Sequence, residues 1–362
     1  MQKQGHVREF FLGANTYKGF HSYYEYVVPG IPKKLFILKG GPGTGKSTFL
    51  KKIANEFASM GLDVELHHCS SDNDSLDGIR IVPFNIAVMD GTAPHTTDPK
   101  YPAVVDEIIN LGEYWDNEGI EKNRKAILNC NKELKKLYVS SYRFLNAAKE
   151  VQDDLEALTG DEFDWASFNN ALIDYKQSIL EPLASVHKHS EIRHLFHSSI
   201  NSSGRVDFIE NAVPKEYTCH YIKGRYLAAA TNLFNSLSSD LILKGYDVEV
   251  FHQPLNPERI ETMIVNELGL VITNDGKLRN NANKIIDLND NKNRNLSKND
   301  KEYLEKNEKL MNGLIDEAIV RIQDAKLLHD ELERYYIESM DFKRMSELRN
   351  STIEKIRNMC GL

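Results

Sequence analysis

Apolar and polar positions change their period along the chain, and each change marks an element. Residues 34–39, Lys-Leu-Phe-Ile-Leu-Lys, form a short, nearly continuous apolar run, the pattern of a strand buried on both faces. Helical spacing takes over at 47–60, a second strand is predicted over 63–68 and a third over 85–90. Strands that alternate with helices predict an α/β fold, a parallel sheet with flanking helices. Between 121 and 158 neither proline nor glycine interrupts the chain. Apolar residues there fall on a seven-residue frame through Ile127, Cys130, Leu134, Leu137, Phe144, Ala148, Val151, Leu155 and Leu158, broken only by Ser141. With a second helix at 165–180 this predicts a helical hairpin extending from the α/β unit, its seam packed on its own second helix or on the other unit's arm. The alternative is a pair of amphipathic helices covering the sheet.

The second half of the chain repeats this pattern. Gly61-Leu-Asp-Val-Glu-Leu-His-His68 matches Gly245-Tyr-Asp-Val-Glu-Val-Phe-His252, an offset of 184. Upstream the offset is 185, with Phe11 on Phe196, Gly19 on Gly204 and Pro29 on Pro214. Downstream it falls to 177, with Ile108-Ile109 on Ile285-Ile286 and Ala148-Lys149 on Ala325-Lys326. The long seam recurs from Leu304 to Tyr335, and a further helix is predicted at 342–359. Two tandem units follow, 1–188 and 189–362, each with a helical arm. The asparagine-rich stretch 280–299 is predicted as a loop.

Composition narrows the functional classes. A chain of 362 residues with 41% hydrophobic content suffices for two separate cores. The start, Met-Gln-Lys-Gln-Gly-His, has no basic segment followed by an apolar run, and no stretch approaches the roughly 18 apolar residues of a membrane helix. A soluble, cytoplasmic protein with no membrane partner is expected. Cys69, Cys130, Cys219 and Cys360 lie far apart without a Cys-x-x-Cys pair, which predicts separate reduced thiols. A net charge of -8 and an isoelectric point near 5.9 argue against nucleic acid as a partner.

The densest chemistry lies just after the first of these strands. Gly40, Gly41, Pro42, Gly43, Thr44, Gly45, Lys46 and Ser47, followed by Thr48, fit G-x-x-x-x-G-K-[ST] between an apolar strand and a helix. A loop free of bulky side chains wraps its backbone N–H groups around phosphate oxygens, and the helix start adds its positive end. Lys46 would reach the β- and γ-phosphates, and the Ser47 hydroxyl would ligate Mg²⁺. On these residues the chain resembles the P-loop NTPase superfamily. Its duplicated layout is similar to an uncharacterised family of bacterial proteins with tandem P-loop units. The resemblance implies two P-loop NTPase-like units and ATP with Mg²⁺ as cofactors. Asp90, ending the run Asn85-Ile-Ala-Val-Met-Asp90, fits the strand-end acid that holds Mg²⁺ opposite the phosphates.

The repeat supplies an internal control. At the matching position the second unit reads Lys223-Gly-Arg-Tyr-Leu-Ala-Ala-Ala230, with Ala229 for the last glycine, Ala230 for the lysine, and Asn274 for Asp90. The loop from Thr92 to Pro102 is seven residues shorter there. Glycine, lysine, acid and loop are lost together, which assigns them to one site kept in the first unit. Thr92, His95 and Asp98 thereby become candidates for placing a water, accepting a proton or touching the γ-phosphate. Arg225 is a salt-bridged surface residue or, with the units face to face, an arginine finger.

Many ATPases resembling this chain carry Glu directly after the strand-end acid, whereas Gly91 stands here. The expected activity is therefore a slow Mg-dependent ATPase with Lys46, Asp90, His95 and Asp98 as catalytic residues. The alternatives are a kinase with its phosphate acceptor near Asp72 and Asp74, and a nucleotide-sensing module whose arms recruit a protein partner. The absence of an Asn-Lys-x-Asp guanine motif favours ATP over GTP.

Overall fold

Both halves of the chain fold through the same succession of elements. The computed structural model describes residues 4–94, 96–293 and 295–362. In the first half, β1 (Val7–Phe11) leads through the hairpin β2 (Gly13–Thr16) and β3 (Gly19–Ser22) to β4 (Lys34–Lys39) and α1 (Lys46–Ser59). Then come β5 (Val64–His68), β6 (Leu76–Ile81), β7 (Ile86–Asp90) and β8 (Asp106–Asn110), and the helices α2 (Asn117–Lys122), α3 (Arg124–Gly160) and α4 (Trp165–Leu180). The second half begins with β9 (Ile192–Leu195), the hairpin β10 (Ser198–Asn201) and β11 (Gly204–Asp207), and the short α5 (Ile209–Ala212). It continues with β12 (Thr218–Lys223), α6 (Leu227–Leu243), β13 (Val248–His252), β14 (Ile260–Val265), β15 (Leu270–Thr273) and β16 (Lys284–Asp287). Two helices close the chain, α7 (Lys298–Ile337) and α8 (Phe342–Cys360).

Two six-stranded sheets result, ordered β1-β5-β6-β7-β4-β8 and β9-β13-β14-β15-β12-β16, position for position the same. They are mixed rather than parallel. β6 runs antiparallel to both β5 and β7, while the remaining pairs of the first sheet are parallel. The sequence hides β6 because the apolar residues of Leu-Asp-Gly-Ile-Arg-Ile do not alternate. The stretch 280–299 is likewise not a loop throughout, since β16 pairs there with β12.

Strand β4 shows why its sequence is apolar on both faces. Phe36 and Leu38 pack against Phe49, Ile53 and Phe57 of α1, while Leu35 and Ile37 face Phe251, Ile264 and Val271 of the second sheet. The molecule is thus four layers deep, with the two sheets face to face between helices. The long seam packs on the other unit's arm, the second of the two expected partners, and not on its own second helix. Helix α3 lies antiparallel along α7: Ile127, Cys130 and Leu134 meet Ala325 and Leu332, and Leu145 and Ala148 meet Ile315, Ala318 and Ile322. Ser141, the break in the apolar frame, is fully buried. Because each arm crosses to the other unit, α4 covers the second sheet through Phe168 and Leu172, and α8 covers the first through Met345 and Ile356. Among the described residues no helix is long and apolar enough to cross a membrane.

The halves meet around a pseudo-twofold axis. Phe11 and Phe196, partners in the repeat, exchange backbone hydrogen bonds of 2.8 and 3.1 Å. Beside them the repeat partners Arg8 and Arg193 cross over to the carboxylates of the opposite unit. Arg8 Nη2 lies 2.7 Å from Glu249 Oε2, and Arg193 Nη2 lies 2.8 Å from Glu65 Oε2. Arg193 Nη1 also donates to Glu249 Oε1 at 2.9 Å. Burial alone would raise the pKa of Glu65, but Arg193 and Arg80 outweigh it and hold the carboxyl well below its ordinary 4.5; for Glu249 burial is likewise outweighed, by Arg8 and Arg193, and its pKa is lowered.

Removing one member strands a buried charge. Arg193→Met is expected to destabilise the protein by about 3–5 kcal/mol at neutral pH, read from urea denaturation. The depressed pKa values of Glu65 and Glu249 mean that the network's contribution is present above 4.5 and is lost as pH falls through the lower folded values. The gap between wild type and variant should therefore narrow on acidification below about pH 4.

Candidate functional site

β4 ends beside β7, with Leu38 paired to Asp90, so the glycine loop leaves the sheet next to a strand-end carboxylate. The loop turns the chain into α1 through two left-handed residues, Gly43 at φ +67° and Gly45 at φ +82°. Thr44 is fully buried and donates its hydroxyl to the carbonyl of Gly41 at 2.8 Å, closing the turn from inside. Lys46, the first residue of α1, folds back over the loop and donates Nζ to the carbonyls of Gly40 and Gly41 at 3.1 and 2.8 Å. The same nitrogen lies 3.6 Å from Asp90 Oδ2. Ser47 Oγ accepts the Leu76 N–H at 3.0 Å, which ties the helix start to β6, and Thr48 is exposed. Pro42 is half-buried within the loop.

Asp90 is buried, which raises its pKa; Lys46 opposes this and Asp77 adds to it. Asp77 is the acid that sequence reasoning missed. It follows Leu76 at the start of β6, and since Gly78 pairs with Met89, Asp77 and Asp90 sit side by side at the end of that ladder. The only signal in the sequence is an acid one residue into an unrecognised strand. Thr92 joins the loop after Asp90 to the glycine loop: its N–H donates to Asp90 Oδ1 at 2.8 Å and its hydroxyl to the Gly40 carbonyl at 3.0 Å. Asp98 is not brought to Lys46. Its side chain is 81% exposed and lies 3.3 Å from Lys39 Nζ, which also holds the carbonyls of Gly91 and Thr97. His95 lies outside the described residues.

Asp72 and Asp74 shape the turn into β6. Asp72 accepts the Asp74 N–H and the Ser75 hydroxyl at 3.2 Å each, and its other contact is Lys326 of α7 at 3.4 Å.

That contact belongs to a larger one absent from the sequence reading. The C-terminal end of α7, which comes from the second unit, lies on the glycine loop of the first. Glu333 Oε1 accepts the N–H of Gly43 at 3.2 Å. A Cβ on Gly43 would come within 2.7 Å of the Glu333 carbonyl oxygen, and one on Gly41 within 2.9 Å of the Tyr336 ring. One turn before Glu333, His329 places Nδ1 3.8 Å from its carboxylate; burial lowers the pKa of His329, and the charge of Lys46 lowers it further.

The second unit has no such cradle. Between β12 and α6 only Gly224, Arg225 and Tyr226 remain, and the helix begins where the first unit still runs as loop. Ala229 and Ala230 are buried, and Tyr226 packs on Phe163 and donates its hydroxyl to Glu162 at 2.7 Å. Arg225 pairs with Glu308 at 3.4 Å on the surface. Glu308 lies about seven helical turns, ~37 Å, along α7 from Glu333, so the arginine-finger alternative is excluded.

Comparison of the chain with protein-family models, curated proteins and solved structures finds no match. The functional reading rests on the residues themselves. Their donor set is oxygen only, two adjacent carboxylates and the Ser47 hydroxyl, with a lysine beside them, which fits a hard cation such as Mg²⁺.

A raised Asp90 pKa means that ligand-free stability is lost as pH rises through that folded value. Asp90→Asn removes this loss and keeps an Oδ1 acceptor for Thr92, while Lys46 retains two carbonyls. The variant is expected to melt higher than wild type at neutral pH in the absence of ligand, by differential scanning calorimetry.

Proposed function

We propose that the first unit binds a nucleoside triphosphate, ATP with Mg²⁺, and hydrolyses it slowly from this single P-loop site. The observation that carries the reading is the asymmetry between two otherwise matching units. One keeps a glycine loop with two left-handed residues, a lysine folded over it and a buried strand-end carboxylate 3.6 Å away. The other has replaced that loop with helix and apolar side chains. A buried carboxylate held away from its ordinary pKa, next to a lysine in a loop of backbone N–H groups, costs stability and makes sense as a binding device.

In this reading the N–H groups from Gly43 to Ser47 hold the phosphates, and Lys46 exchanges its two carbonyl partners for β- and γ-phosphate oxygens. Ser47 and Asp90, with Asp77 behind, would hold Mg²⁺, which supplies charge neutralisation across the β- and γ-phosphates. Thr92 fixes the start of the loop after Asp90 against Gly40. Slow turnover follows from Gly91. A Cβ there would collide with Cγ2 of Ile37, so the residue after Asp90 has no room for a water-activating glutamate. The second reading, a nucleotide sensor whose arms recruit a protein partner, draws support from α7 of the other unit resting on the loop.

Equilibrium binding of MgATP and phosphate release, measured beside Lys46→Ala, test the proposal. The substitution is expected to weaken binding about 10- to 100-fold and to abolish release. Binding without release in wild type would favour the sensor or a kinase awaiting its acceptor. Equal behaviour of the two proteins would refute the site.

A further inference from the structure

We infer that Glu333 is an internal anion lodged in the phosphate cradle, so that nucleotide binding and docking of the second unit's arm exclude each other. The inference rests on the P-loop reading of the site and adds its regulation.

The geometry starts from what the cradle offers. The N–H of left-handed Gly43 bonds to a side chain from the other half of the molecule, and in a P-loop such an N–H belongs to the nest that holds phosphate. The group that meets it is a carboxylate oxygen at 3.2 Å, carried by a helix from the other half of the molecule. The arm presses close around this contact. Ile337 lies against Gly43, Tyr336 and Trp115 flank Gly41, and the ring of Phe342 at the start of α8 lies near Gly45. Beyond it, Asp116 N–H donates to the Ser339 carbonyl and Asp341 N–H to the Tyr114 carbonyl, both at 2.8 Å, which fastens the α7–α8 connection to the first unit.

The repeat again serves as a control. At the offset of 177, Glu333 corresponds to Glu156 on α3, which reaches the second unit in the same way. There the glutamate is held by the guanidinium of Arg259, a permanent cation. In the first unit Ser75 takes the place of Arg259 at the offset of 184, and Glu333 turns to the N–H of the cradle. One arm glutamate is therefore locked, and the other is held by a donor that a phosphate would claim.

A carboxylate and a triphosphate cannot share Gly43. Both are anions, both need the same N–H, and the like charges repel at contact distance. Bound nucleotide expels Glu333 and loosens the end of α7 and its link to α8. By linkage, whatever holds the arm down weakens nucleotide binding by the same factor. The chemistry of the loop thereby becomes a position of the arm, with no catalytic step required.

The test is a calorimetric titration of MgATP into the full chain as wild type, Glu333→Ala, Glu333→Gln and Lys46→Ala. Glu333→Ala is expected to bind about tenfold tighter than wild type, and Glu333→Gln, which keeps the shape but not the charge, to bind tighter by a smaller factor. Affinity unchanged or weakened in both Glu333 variants, with binding still lost in Lys46→Ala, would overturn the plug and leave the site reading standing. Absence of binding in all four proteins would overturn the site reading and the plug with it.

Discussion

Two arginines, Arg193 buried and Arg8 nearly so, each reach across to the opposite unit's glutamate and set the geometry on which the remaining contacts depend. An arginine cannot shed its charge, and a buried carboxylate beside it keeps its own only while the partner stays in place. Arg8 with Glu249 and Arg193 with Glu65 therefore fix the register of one sheet on the other, and the paired backbones of Phe11 and Phe196 fix the same axis a few residues away. Once the sheets are related by that axis, α3 and α7 must leave in opposite directions and pack antiparallel. Each then delivers its end, and the short helix after it, to the other unit. The contact between Glu333 and Gly43 lies at the end of one such arm, on a different part of the molecule from the salt-bridge network.

The two units also show what an open glycine loop costs. The first keeps glycines in left-handed conformations, a loop N–H satisfied by a distant glutamate, and a buried carboxylate with a second acid near it. The second has exchanged these for an earlier helix start, Ala229 and Ala230 in the core, and a tyrosine with a satisfied hydroxyl. Local conflict persists only in the first unit. Natural sequences keep such conflict mainly at functional sites, which is why the proposed site lies there.

Much of this was legible in the residues. The strand before the glycine loop and the helix after it follow from their apolar periods, and the repeat follows from matched residues at three offsets. Asp90 stands out because it ends an apolar run, and the structure brings it to 3.6 Å from Lys46. What the sequence concealed is long-range. Strand β6 carries glycine, aspartate and arginine among its apolar residues, so the antiparallel insertion and Asp77 went unseen. The frame on α3 gave a seam but not its partner, since an apolar stripe fits any other stripe of the same period. Packing also shifts the burial from Phe144 and Val151 to Leu145 and Gln152. Glu333 reads as one more charge on a helix surface, because its partner is a backbone N–H some 290 residues away and leaves no trace in side-chain pattern.

Hydrogen exchange on the full chain, with and without MgATP, tests most directly that the glycine loop is a nucleotide site coupled to the arm. The account predicts slower exchange at residues 43–48 and faster exchange at residues 334–342 when MgATP is present, with the amides of the two sheets unchanged. Exchange at residues 43–48 that does not respond to MgATP would contradict it.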